Sequence, residues 1–137
     1  MGVTSVARTY QATTAETPDP RHALVLLTEG LVRFLHQARE AMRQGDYQGQ
    51  CDRIVRAQRI ISTLMSSLDR DVAPEFTAGL WALYSWMHAN LTEASIRDDE
   101  ELLGKVFEAA TGLHDAWRQA RQELAAQENA AARCTAA

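Results

Sequence analysis

The chain has 137 residues, 46% of them apolar and 23% charged, with a formal net charge of −4 and an isoelectric point near 5.5. That is material for one domain around one core, and the acidic balance argues against nucleic acid as a partner, which needs a basic face to neutralise phosphates. No basic start followed by an apolar run marks a secretory signal, and no stretch approaches the roughly 18 apolar residues of a membrane span, so a cytoplasmic protein without membrane insertion is expected.

Residues 1–19 read as a flexible N-terminal arm that ends at Thr17-Pro18-Asp19-Pro20, where two prolines stop any helix from running through. Val3, Val6, Ala7 and Tyr10 fall at helical spacing within it, a short apolar-edged turn too brief to persist alone. The first long helix is expected over Pro20–Arg43, with Leu24, Leu27, Leu31, Phe34 or Leu35, Ala38 and Met42 on one face. Gly45-Asp46 breaks it. The second is expected from Tyr47 to Leu68, with Ile54, Ala57, Ile61, Leu64 and Leu68 as its seam. Asp69-Arg70-Asp71 and Pro74 mark the next turn, because proline fits the first turn of a helix.

The third helix is expected from Pro74 to Ile96 on the stripe Phe76, Leu80, Leu83, Met87, Leu91 and Ala94. Asp98 and Glu101 are spaced as a capping box for the fourth. That helix has the most regular stripe, from Leu103, Val106 and Ala110 through Leu113 and Trp117 to Ala120 and Leu124. The alanine-rich end lacks a cap, so the bundle is expected over residues 20–126 and a disordered tail over 127–137. With no strand-like alternation and only short turns, the fold class is all-α: an antiparallel up-down four-helix bundle with a short N-terminal arm.

The second and third helices carry more apolar surface than a bundle face somewhat wider than 100° requires. Cys51 and Val55 widen one side of the second stripe and Ile60 the other. Trp81 lies about 80–100° off the third seam on one flank, and Trp86 about as far off on the other. Two readings remain open at this point: filled bundle corners, or a groove for an amphipathic partner helix.

The order of these segments resembles the flagellin-specific secretion chaperones of the FliS family. The likeness rests on Tyr10-Gln11 in the arm, Glu29-Gly30 and Phe34 in a Leu-rich first helix, and Ala57-Gln58-Arg59-Ile60-Ile61 in the second. Leu64, Ser67-Leu68-Asp69 and Leu83-Tyr84 with Met87 continue it, and it runs from about Tyr10 to Trp117. Thr28 departs from a usual tyrosine, and Ser95 from a usual asparagine after Ala94. The resemblance implies a non-enzymatic export chaperone that binds the C-terminal segment of flagellin in the cytosol. It would prevent premature polymerisation and hand the client to the flagellar export gate. Free, it would be a monomer or a weak homodimer. Tyr10 would belong to a lid over one groove, with Val55, Ile60, Trp81, Tyr84 and Trp86 as the other candidate client-binding residues.

Other chemistry is not legible. A di-iron bundle needs Glu-x-x-His pairs, and none of His22, His36, His88 and His114 has Glu three residues before it, so no metal or other cofactor is expected. A histidine phosphotransfer bundle is the alternative from another class, but neither His36 nor His114 is followed by the Lys-Gly pair such domains carry. A helical adaptor or secretion chaperone for another client shares the same physics. Cys51 and Cys134, far apart in sequence, read as free thiols of a reducing compartment. No nucleophile–base pair, phosphate loop or nucleotide fingerprint gives a catalytic site.

Overall fold

The computed structural model describes residues 20–136. They form four helices: α1 (Pro20–Arg43), α2 (Tyr47–Ser66), α3 (Pro74–Arg97) and α4 (Glu100–Ala136). Gly45 takes a φ of 72°, the left-handed conformation that lets the chain reverse after α1. The Asp46 carboxylate then caps α2 by accepting from the Gly49 amide at 3.0 Å. At the other end of α2, the Ser66 and Ser67 hydroxyls both donate to the Thr63 carbonyl, at 3.0 and 2.8 Å. Leu68, expected inside the helix, lies just beyond it but still packs against the core.

The turn between α3 and α4 corrects the expected cap. Asp98 is the left-handed residue that ends α3, with φ 51°, and Asp99 caps α4 by accepting from the Leu102 amide at 3.0 Å. So short a turn needs one residue in the left-handed region, which aspartate tolerates, and the cap moves one place along the chain. The alanine-rich end is a second correction. α4 continues to Ala136, where a disordered tail was expected over 127–137. Alanine has the highest helix propensity, and an ion pair of 2.7 Å between Arg21 and Glu128 ties the extension to the start of α1.

Each helix packs on two neighbours: α1 and α3 each contact both α2 and α4. The cross-links run in opposite directions. Arg43 at the end of α1 meets Glu100 at the start of α4, while Arg21 meets Glu128. Gln50 reaches Asp98 at 3.0 Å, while Gln58 donates to the His88 carbonyl at 3.1 Å. The bundle is therefore antiparallel and up-down.

The fully buried centre includes Leu31, Leu35, Ile61, Leu64, Met87, Leu91, Leu103 and Val106. Of the pair left open on α1, Leu35 is the core residue and Phe34 lies at its edge. Thr28 is also fully buried. Its hydroxyl donates to the Leu24 carbonyl at 2.8 Å and is hydrogen-bonded to His114 Nδ1 at 3.0 Å.

Candidate partner-binding surface

α3 has no Asp, Glu, Lys or Arg between Phe76 and Thr92. One stripe of it is buried: Thr77, Leu80, Tyr84, Met87, Leu91 and Ala94. A helix that is apolar on all sides is normally covered on all sides. This one is not. Trp81, Trp86 and Ile96 are 36%, 41% and 71% exposed, and Ala78, Ala82 and Ala89 also face outward.

The flank towards α2 meets that helix through polar contacts. Cys51 Sγ lies 3.7 Å from Ser95 Oγ, and Gln58 donates to the His88 carbonyl and, at 2.8 Å, to Thr92 Oγ1. Val55, on the same stripe of α2 as Cys51 and Gln58, stands 44% exposed along it. Trp81 falls on the α3 stripe that carries His88, Thr92 and Ser95, nearer the α2–α3 turn. The Arg70 guanidinium stacks 4.3 Å from the Trp81 ring centroid, and the two flank a cleft completed by Pro74, Thr77 and Ala78. Arg70 adds a cation beside the partly exposed ring. At the opposite end of the α2–α3 interface, Cys51 first, then desolvation and last the Asp98 carboxylate hold the Tyr47 phenol above its ordinary range. Trp86 lies on the other flank of α3, towards α4.

This surface offers apolar area and backbone-bonding side chains but no reactive set. Among the described residues no group of His, Cys, Asp and Glu is arranged to hold a metal ion. His114 is engaged by Thr28, and the His36 ring lies 6.3 Å from that of Phe107. No described helix is long and apolar enough to cross a membrane.

Residues 3–124 match the family model described as "Flagellar protein FliS". The chain belongs to the FliS family. It is 30% identical over 122 residues to the flagellar secretion chaperone FliS of Bacillus subtilis, covering 89% of this chain and 90% of that one. The FliS of Salmonella typhimurium is 25% identical over 129 residues, covering 93% and 96% respectively. That of Escherichia coli is 31% identical over 97 residues, covering 70% of this chain and 71% of its own. A solved flagellar chaperone from bacteria superposes with a TM-score of 0.71 at 16% identity, over 88% of this chain and 98% of that one, which supports the fold. The family is one of export chaperones, not of enzymes.

Within this FliS-family bundle the residues singled out from sequence separate. Val55 and Trp81 both stand exposed along the α2–α3 flank, Val55 beside the Gln58 contacts and Trp81 nearer the α2–α3 turn, and Trp86 lies across α3 from them. Ile60 is elsewhere: it is half-buried on the α1 side of α2, its Cδ1 lying over Gly30. Tyr84 is fully buried and belongs to the core; four residues from Leu80 and three from Met87, it continues their stripe. Neither Ile60 nor Tyr84 is part of the exposed surface of α3. Tyr10 lies outside the described residues. Sequence reasoning missed Arg70 and Gln58. Nothing marks Arg70 beyond its place in a turn, and Gln58 is polar at an interface position, a signal that only its partners on α3 explain.

Proposed function

We propose that this FliS-family chain is a cytoplasmic chaperone that binds the C-terminal segment of flagellin across α3. On this reading an amphipathic client segment lies along the α2–α3 groove against Val55 and Trp81, and a second covers Trp86 on the α4 side. The observation that carries it is the uncharged run of α3 from Phe76 to Thr92, buried along one stripe yet carrying exposed Trp81 and Trp86 on its two flanks. Covering flagellin's own apolar segment removes the driving force for premature polymerisation. The bound client then passes to the export apparatus. Tyr10, in an arm long enough to return over the bundle, acts as a lid that competes with the client.

Titration calorimetry of the full chain with the C-terminal segment of the host's flagellin tests the reading. The expected result is a 1:1 complex with a negative heat-capacity change, the signature of apolar burial. Absence of binding both to that segment and to monomeric full-length flagellin overturns it.

A further inference from the structure

The bundle is divided by charge. Residues 20–66, which hold α1 and α2, carry seven arginines against four carboxylates, whereas residues 67–137 carry six cationic side chains against twelve carboxylates. The α1–α2 hairpin is thus a basic layer in an acidic protein.

On the outside of the α1–α2 seam, Leu26, Gly30 and Arg33 share one helical stripe and Arg56, Ile60 and Thr63 the facing one. Gly30 is the low point of the crossing. A Cβ there would lie 3.3 Å from Ile60 Cδ1 and 3.8 Å from Arg33 Nη2. Phe34 sits beside it between two guanidiniums, with Arg33 5.4 Å and Arg56 5.9 Å from its ring centroid. These stacks hold the arginines close to the seam. Asp52 pairs with Arg56 at 3.1 Å. Among the described residues no ion pair engages Arg33 or Arg59, although Glu29 lies four residues before Arg33. Leu26, at the end of the same stripe, is 52% exposed.

We infer that this face docks an acidic, amphipathic segment of a partner protein, its carboxylates on Arg33 and Arg59 and an apolar side chain against Leu26 and the Ile60 floor. The occupant follows from charge complementarity: two exposed guanidiniums without carboxylate partners, Arg33 on the Leu26–Gly30 stripe of α1 and Arg59 on the outer side of α2 next to Ile60 in sequence, accompany an apolar strip, the mixture that an acidic helix with a leucine-type anchor satisfies. Nucleic acid fits less well, because no exposed aromatic ring on this face offers a platform for base stacking. Arg59 is four residues from Val55 and so borders the client surface, whereas Leu26 and Arg33 stand on α1, on the other side of α2 from α3.

The test is fluorescence anisotropy of the full chain with a labelled helical peptide of Leu and Glu, alongside its Lys-for-Glu counterpart. The Glu peptide is expected to bind, and Arg33→Glu with Arg59→Glu to weaken it by at least about tenfold. Binding should also fall steeply as salt is raised from about 50 to about 300 mM. Trp81→Ala, on the client surface, leaves this binding unchanged, so the two sites fail or stand separately. Both reversed side chains are exposed, and an unaltered thermal melt checks the fold; Arg59→Gln alone, expected to weaken the peptide by a smaller factor, serves if the double variant does not fold. Equal binding of the two peptides overturns the inference, as does full affinity in the double variant. So does displacement of the peptide by an RNA oligonucleotide or by phosphatidylglycerol vesicles. A salt-sensitive dimer of the protein alone that the double variant dissolves would make the occupant a second copy, and that too overturns it.

Discussion

Replacing Tyr84, Trp81 and Trp86 by alanine, one at a time, separates core from client surface on a single helix. Tyr84 is fully enclosed, and truncating a buried aromatic costs about 3–5 kcal/mol. The unfolding entropy of residues 20–136, at about 2.1 cal/mol/K per residue, comes to about 0.25 kcal/mol/K, so Tyr84→Ala should lower Tm by about 12–20 °C. Trp81 is about a third exposed and stacked by Arg70 at 4.3 Å. Losing an exposed cation–π contact of about 0.5–1 kcal/mol together with partial burial should total about 1–2 kcal/mol, or about 4–8 °C. Trp86, 41% exposed, should lose about 1 kcal/mol. Flagellin binding should order the other way. Each tryptophan variant should lose about 1–3 kcal/mol of affinity, a fall of about 5- to 150-fold, as anchors in apolar grooves do. The assay is a circular dichroism melt paired with a titration on the same protein stocks. A Trp81→Ala melt as low as that of Tyr84→Ala would make Trp81 core. Unchanged affinity in both tryptophan variants would remove α3 from the client site.

Three further substitutions probe the bundle itself. Leu113→Ala on the α4 seam, where Leu113 is buried, should cost about 2–5 kcal/mol by leaving a cavity, and an unchanged melting point would mean the helix register is wrong. Thr28→Val keeps the shape but removes the hydroxyl between the Leu24 carbonyl and His114. Denaturant unfolding should show a loss of about 0.5–1.5 kcal/mol, and His114 should lose its Nδ1 partner by nitrogen NMR. Gly112 sits inside α4 with nothing within 4 Å of a would-be Cβ, so Gly112→Ala should stabilise the chain by about 0.5–1 kcal/mol, read as a Tm higher by about 2–4 °C.

Much of the architecture was legible because local chemistry sets it. Pro20 and the Gly45-Asp46 pair bound α1 as expected, since a fixed φ and a left-handed residue act on the backbone wherever the rest of the chain lies. The caps were less legible. Asp98 and Asp99 stand side by side, and which one adopts the left-handed conformation depends on how α3 and α4 meet. The alanine-rich end was misread for a related reason: its missing cap was visible, but its propensity and the Arg21–Glu128 pair outweighed it.

The candidate site marks the division. Sequence by itself determined that α2 and α3 carry more apolar surface than one seam can bury, because period and composition are properties of each helix alone. It also determined the FliS-family pattern, which is an order of segments along the chain. Only the tertiary structure decided which apolar residues remain outside. Tyr84 and Trp86 are two positions apart on one helix, yet the first is enclosed and the second exposed. Ile60 and Val55 flank the same stripe, but α1 covers one side of α2 and α3 lies along the other. The physical reason is that burial belongs to a pair of facing surfaces. A helix's own residues set the angle at which a side chain leaves the axis, and its neighbours decide whether protein or solvent waits there.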